Sequence, residues 1–401
     1  MTANRIVVVG GGVAAVRCAF ELRRQGYAGR LTVLSAESTA PYDRTLASKA
    51  LISGQPVVPE QLFLQPPEAY GDADVDLQLE ARVISLDVAA HRVELADGRR
   101  VAYDRLVLAL GGEAVRPPTL CCDGVLTLRS IDDADRLSSR LADAERVVIV
   151  GGGFIGTEVA STAVARGLEA TIVEADRPFA APLGPAVAER VCEMHRRHGV
   201  SLVTGRPVDS VRRDGSCFQV ELSDGRRLAA DLVVVAVGMR PATGWLADTV
   251  LQAPHGVPCD ADGRTAVPDI FAAGDCALAR DDTVDGYLTA EHWDVAGRHG
   301  TRVARAILGL PAPAPRAPYF WSDQLGLKLQ LVGRPEHADA VEIEESTPSP
   351  CFVARYLRRG RLVGLLAVGA PAEIARARRE LERSPQAERA FSYPKVMEIL
   401  R

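Results

Sequence analysis

The sequence predicts an α/β fold with two parallel-sheet βαβ units and a smaller α+β unit at the C-terminal end, and three observations predict it. A hydrophobic run, a glycine-rich turn and a helical pattern occur near the N-terminus and again about 140 residues later, which marks an internal duplication. Each copy is followed by an alternating pattern with tight turns that closes on a buried strand. The stretch PAPAPRAP, Pro311 to Pro318, then reads as a stiff linker into a last segment. With 401 residues, and roughly one domain per 150, two or three domains are expected.

Taken in order, RIVVVGGGVAAVRCAFELRRQGYAGRLTVL gives a strand at 5–9, a glycine turn, a helix from 13 to 26 and a strand at 31–35. The turn Asp97-Gly98 then belongs to a small antiparallel meander ending in a buried strand at 105–110. The second copy has a strand at 146–150, a glycine turn, a helix to 166 and a strand at 170–174. Turns at Asp214-Gly215 and Asp224-Gly225 repeat the meander, which ends in a buried strand at 231–237. Boundaries fall at Arg116 to Pro118 and at Arg240-Pro241, where proline follows a glycine-ended strand. The final segment carries strands near 328, 352 and 362 and a helix after Pro371.

Composition narrows the classes. Hydrophobic residues at 47% and charged residues at 25% are those of a globular chain, and no apolar stretch approaches the roughly 18 residues of a spanning helix. Glycines 10 to 12 interrupt the one run that resembles a leader, so a cytoplasmic protein without membrane attachment is expected. The net charge of -5 argues against nucleic-acid binding. Charge is uneven, however, with eleven Lys or Arg against five Asp or Glu from Cys351 to Arg401. The plain reading of Arg376, Arg378, Arg379 and Arg383 is a solvated helix face; the functional one is a surface for an acidic partner. The eight cysteines form no C-x-x-C, and His195 and His198 sit in a charged helical stretch, so reduced thiols and no metal are expected.

The chemistry lies in the turns. Gly10-Gly11-Gly12-Val13-Ala14-Ala15 is G-x-G-x-x-A between a strand and a helix: Gly10 permits the turn, Gly12 lets backbone approach a pyrophosphate, and Ala15 allows close packing of helix on sheet. The free N–H groups of the helix start favour phosphate. Glu37, just past the second strand, is placed to accept from a ribose. Gly151-Gly152-Gly153-Phe154-Ile155-Gly156 matches G-x-G-x-x-G in full, and Glu174 ends the next strand. Two complete units imply two dinucleotides. Glu174 would accept from the 2'-hydroxyl of NADH and repel the extra phosphate of NADPH; Arg177 nearby leaves that preference less than strict.

A third signal, Thr265-Ala266-Val267-Pro268-Asp269-Ile270-Phe271-Ala272-Ala273-Gly274-Asp275, resembles the strand of two-dinucleotide flavoprotein reductases that brings an Asp to FAD. Within that group the chain resembles, over essentially its whole length, the NADH-dependent ferredoxin reductases that serve oxygenases and cytochromes P450. The strings that carry the likeness are Pro41-Tyr42-Asp43-Arg44 with Ser48-Lys49, the second glycine turn with Glu158, Ala273-Gly274-Asp275-Cys276-Ala277, Glu291-His292-Trp293 and Phe320-Trp321-Ser322-Asp323-Gln324. The resemblance implies FAD on the first unit and NADH on the second, with Lys49 near the flavin N5, Glu158 near the nicotinamide and Trp321 as an aromatic wall. It also implies that Arg44, Val83, Arg129, Asp275 and Trp293 contact FAD, and that Gly238 joins the NADH site. The implied domains are 1–115 with 242–318 for FAD, 116–241 for NADH and 319–401 as an interface domain.

The positive charge of Lys49 suits an anionic reduced flavin, and Glu158 would hold it in place. Relatives read R-P-P-L-S-K where Arg44-Thr45-Leu46-Ala47-Ser48-Lys49 stands, so a loop without its two stiffening prolines, and a looser flavin side, are expected. Ala109-Leu110-Gly111, in place of A-T-G, and Val295, in place of the Asn of E-H-W-x-N-A, also fall on the flavin environment. The expected reaction is hydride transfer from NADH to FAD, then single-electron transfer to an acidic iron–sulfur ferredoxin or rubredoxin, by a monomer or homodimer. Two rivals stand beside it: an NADH oxidase or quinone reductase, and a non-enzymatic redox sensor resembling apoptosis-inducing factor. Disulfide reductases and NADH peroxidases need a redox cysteine after the first unit, and residues 19–120 contain none.

Overall fold

The computed structural model describes residues 4–251, 255–281, 286–289, 292–345 and 351–383. Glu291 and the basic positions beyond 383, which carry part of the family likeness and part of the C-terminal charge, lie outside them. Two parallel sheets and one antiparallel sheet form the frame. The first runs Ile270–Ala272, Arg105–Leu108, Arg5–Val9, Arg30–Leu34, Val75–Gln78, and the second Ser201–Thr204, Glu169–Glu174, Arg146–Val150, Leu232–Val235. Their central strands are continuous apolar runs because both faces are covered, one by helices and the other by an antiparallel meander; Val7, Val8, Val148 and Ile149 are all buried.

Each sheet carries a three-stranded antiparallel meander, Val83–Asp87 to Ala102 in the first and Val208–Asp214 to Ala230 in the second. The two crossings between the units pair with each other: Gly112–Ala114 runs antiparallel to Met239–Pro241. The first glycine-turn helix spans Val13–Arg24, and Gln25 with Gly26 at φ +86° ends it two residues earlier than the pattern suggests. The buried strands expected at 105–110 and 231–237 stop at Leu108 and Val235. Beyond Leu108 and Val235 the chain turns toward the glycine turns: a side chain at Gly10 would meet the Ala109 carbonyl, and one at Gly151 the Ala236 carbonyl.

The helix Trp293–Ile307 lies against Val13–Arg24, with Gly300 so close that a Cβ would stand 2.1 Å from the Ala14 carbonyl oxygen. The last unit is a five-stranded antiparallel sheet in the order Tyr319–Gln324, Leu327–Gly333, Arg361–Val368, Phe352–Arg358, Ala340–Glu345. Helix Pro371–Arg383 packs on one face through Ile374, Ala377 and Leu381. The other face closes on the second unit, where Leu183, Val191 and Met194 meet Leu329, Leu331 and Tyr356. Removing such side chains from water is worth roughly 1.5–3 kcal/mol each, enough to dock the units firmly. No helix of the described residues is long and apolar enough to cross a membrane.

Candidate functional site

All three units line one cavity of about 980 Å³. Its walls include Gly12, Glu37, Arg44, Lys49, Arg129, Asp275 and Trp293, and also Phe154, Ile155, Glu158 and Trp321. The structure thus brings together residues that the sequence spreads over more than 300 positions. At the first turn, Gly10 has φ +130° and a Cβ there would overlap the Ala109 carbonyl, whereas nothing lies within 4 Å of a Cβ on Gly12. The open space at Gly12, in front of the first helix N-terminus, leaves room for an anionic group at the free N–H groups.

Glu37 accepts from the Tyr42 hydroxyl at 2.8 Å and pairs with Arg44. The Tyr42 oxygen in turn accepts from Arg44 Nη1 at 3.0 Å and from the Ile131 backbone N–H at 2.8 Å. Burial raises the Tyr42 hydroxyl above the usual phenol range, so it stays a donor to Glu37. Asp275 pairs with Arg129 at 3.1 Å, and Arg129 also donates to the Gly112 carbonyl. The indole Nε1 of Trp293 is buried without a hydrogen-bond partner. Val83 is different: its side chain sits in the core beneath the meander, while Arg82 lines the cavity.

The segment without prolines is held by side-chain hydrogen bonds and packing. Asp43 accepts from the Thr45 backbone N–H at 2.9 Å and from its hydroxyl at 2.7 Å, which caps a 3-10 turn over Arg44–Leu46. A single π turn, Ala47–Leu51, follows and carries Lys49. Ala47 and Ile52 are buried against Leu137 and Val159, which anchor the turn from behind. Two side-chain hydrogen bonds and this packing hold the segment in place of the missing prolines. One-turn π geometry often accompanies functional sites because it re-aims a side chain.

Lys49 meets Glu158 at 2.8 and 2.9 Å. Glu158 is 2% exposed, and it also takes hydrogen bonds from the Ser48 and Ser322 hydroxyls and, at 3.3 Å, from the Asp323 backbone N–H. A buried carboxylate needs such a shell of donors, and the first and last units supply it to this residue of the second. Ser48 and Ser322 lie within the segments that carry the family likeness, and the sequence assigns them no role. A signal existed: on Tyr319–Gln324, alternation turns Ser322 and Gln324 inward, and polar residues on a buried face require partners.

Trp321 projects from the other side of that strand, stacked beside Tyr319 at 5.9 Å and edge-on to Trp293 at 5.9 Å. At the second turn, Gly151 at φ +108° and Gly156, whose Cβ would lie 2.1 Å from the Gly151 carbonyl oxygen, enforce the close approach, and Gly153 faces open space. Glu174 accepts from the Gly152 N–H at 2.7 Å and the Asp176 N–H at 3.1 Å, which aims its carboxylate at the turn. Arg177 is exposed beside it. Gly238, at φ +105°, accepts from the Val115 N–H across the paired crossings. His195 and His198 turn apart: His195 meets Gln324, and His198 bonds back to the Met194 carbonyl. All eight cysteines are free, and burial pushes the Cys18 thiol up to about 12.

Residues 4–300 match the family model described as pyridine nucleotide-disulphide oxidoreductase, and residues 319–394 the model described as reductase C-terminal. The rubredoxin-NAD(+) reductase of Pseudomonas putida is 34% identical over 91% of this chain and 96% of its own. The ferredoxin--NAD(+) reductase component of a 3-phenylpropionate/cinnamic acid dioxygenase, from Photorhabdus laumondii, is 31% identical over 96% of this chain and 98% of its own. Among solved structures, putidaredoxin reductase in its covalent complex with putidaredoxin superposes with a TM-score of 0.88 at 31% identity, covering 94% of this chain and 93% of that one.

Proposed function

The chain belongs to the pyridine nucleotide-disulphide oxidoreductase family and ends in the reductase C-terminal domain, and from that membership we propose an NADH-dependent reductase that uses FAD to pass single electrons to an acidic ferredoxin or rubredoxin feeding an oxygenase or cytochrome P450. The observation that carries the reading is the buried Lys49–Glu158 pair at a cavity shared by all three units, with Trp321 on its wall. The cavity fits FAD: Gly12 leaves the space a pyrophosphate needs, and Trp293 offers a buried N–H in want of an acceptor. The proposed holders are Gly10, Gly12 and Ala15 at the turn, Glu37 for the ribose, and Arg44, Arg129, Asp275 and Trp293 along the cavity, with the backbone at Val83.

FAD, when bound, accepts hydride from NADH and releases electrons one at a time. The chain's own residues position and tune. Lys49, 14% exposed, holds a fixed positive charge at the cavity wall, and Glu158 with its donors keeps the ammonium from swinging to solvent. Phe154 and Ile155 line the approach beside Glu158, and aromatic Trp321 closes the far side without a titratable proton. On the second unit, Gly151, Gly153 and Gly156 with Glu174 and Gly238 form the proposed NADH site. The proposed domains are 1–115 with 242–318, 116–241 and 319–401; strand Ile270–Ala272, paired to Arg105–Leu108, supports the return of the chain to the first unit. Free cysteines suit a reducing cytoplasm. The acceptor's docking face is proposed on the last unit, where Arg376 and Arg379 are exposed.

Anaerobic mixing of the FAD-loaded protein with NADH, and separately with NADPH, tests the reading. Fast loss of oxidised flavin absorbance with NADH, followed by reduction of an added ferredoxin, is the expected result. Sluggish bleaching by both nucleotides would point to the sensor, and rapid turnover with oxygen alone to the oxidase.

A further inference from the structure

Behind Glu158 a second row of polar side chains runs through the apolar contact between the last unit and the second. Gln324, 1% exposed, places Nε2 at 2.9 Å from both the Thr157 hydroxyl and the Ser322 hydroxyl. Its Oε1 lies 2.7 Å from Nε2 of His195, itself 1% exposed and set among Met194, Cys192 and Val191. The direction of every bond follows from chemistry. Thr157 uses its own proton on the Gly153 and Phe154 carbonyls, so toward Gln324 it can only accept. The amide nitrogen therefore faces Thr157 and Ser322, and the amide oxygen faces His195. Ser322, accepting from Gln324, has its proton free to give to Glu158. The His195 ring must then carry its proton on Nε2, and burial, which lowers the imidazole to about 4, keeps the ring neutral.

We propose that His195 and Gln324 are positioning residues for the Lys49–Glu158 pair, acting in series through the Ser322 hydroxyl; this rests on the reductase reading above. The chain of donors fixes one orientation of Ser322 and, through Thr157, ties the same network to Gly153 of the dinucleotide turn. It also sets the register of Tyr319–Gln324 against the helix Phe154–Ala165. Since neighbouring strand residues face opposite sides, a slip of one residue would remove Ser322 from Glu158 and turn Trp321 away from the cavity.

The test uses the full-length FAD-loaded protein and its variants Gln324→Met, Ser322→Ala, their double, His195→Gln and His195→Phe. Gln324→Met and Ser322→Ala should each slow flavin reduction at saturating NADH about tenfold, the order expected for one lost hydrogen bond to a charge, with NADH half-saturation unchanged. The double variant should be no slower than Ser322→Ala, because the two act in series. His195→Gln, which keeps a donor, should retain the rate, and His195→Phe should match Gln324→Met. Nitrogen-15 chemical shifts of the His195 ring in the wild type should show a neutral imidazole with Nε2 protonated, a readout that does not depend on variant folding or on turnover. Additive losses in the double variant, a wild-type rate in Gln324→Met, or a ring protonated on Nδ1 would each overturn the proposal. A wild-type flavin that NADH fails to reduce would instead overturn the reductase reading and this role with it, while the ring measurement separately decides the bond direction.

Discussion

Lys49 and Glu158 stand 109 positions apart, and their value lies in burial: a positive charge in a half-dry cavity acts far more strongly than the same charge in water. Lys49→Met keeps the length of the side chain and removes the charge. It should slow flavin reduction by NADH about a hundredfold, as loss of one charge-stabilising group does in other active sites, with FAD still bound; an unchanged rate would remove Lys49 from the chemistry. Glu174 is the second residue with a sharp expectation. Its carboxylate, held toward the turn by the Gly152 and Asp176 N–H groups, should favour NADH through the ribose hydroxyl. Glu174→Ser should narrow the ratio of kcat/KM for NADH over NADPH about tenfold. Both residues were legible in the sequence, Glu174 from its place at a strand end and Lys49 only through family likeness. Ser48 and Ser322 were not, because a serine hydroxyl acquires a role only from the carboxylate that tertiary folding places beside it.

At the scale of elements, two glycines separate ligand binding from packing. Gly12 has extended backbone at φ -90° and open space at its Cβ, so Gly12→Ala should fold with unchanged stability and lose FAD affinity, checked by flavin retention and thermal melting of the apoprotein. Gly300 is the opposite case. Gly300→Ala would drive a methyl into the Ala14 backbone and pry helix Trp293–Ile307 from Val13–Arg24, costing roughly 1–3 kcal/mol in denaturant unfolding. A normal melting curve for that variant would contradict the close approach. The glycine turns themselves were readable because strand, turn and helix are local in sequence. The seating of the proline-free segment was not, since Ala47 and Ile52 are buried by contacts with helix Ile131–Asp143 and the second unit.

Over the whole molecule, histidines lowered by burial shape the pH response, His195 and His299 foremost. Burial depresses both His195 and His299 to about 4, and His299 accepts from the Gly274 N–H through Nδ1, which holds that ring neutral under the Asp275 turn. An unfolded chain would protonate each near 6.5, so between that value and 4 the unfolded state binds more protons and stability falls as pH falls. Each ring should contribute roughly 3 kcal/mol that is complete above pH 6.5 and lost on acidification. Urea unfolding across that range should show proton uptake to which His195, His299 and His292, also lowered by burial, contribute, and His195→Gln should reduce it by about one. Charge steering is the other molecular property. Arg376 and Arg379 face solvent on helix Pro371–Arg383, Arg376 beside Glu373, and their reversal to Glu should lower the rate of ferredoxin reduction and flatten its salt dependence while leaving flavin reduction by NADH intact.

The sequence by itself determined the duplicated βαβ frame, the glycine turns, the acids at the strand ends and the separate last unit, because each is written in short-range periodicity and in backbone positions that only small residues can occupy. Tertiary structure alone decided that the first glycine turn, Lys49, Glu158 and Trp321 meet in one cavity, that Glu158 gathers donors from the first and last units, and that Gln324 and His195 stand behind it. A buried carboxylate must be neutralised and hydrogen-bonded by whatever surrounds it, and what surrounds it here comes from segments separated by more than a hundred residues.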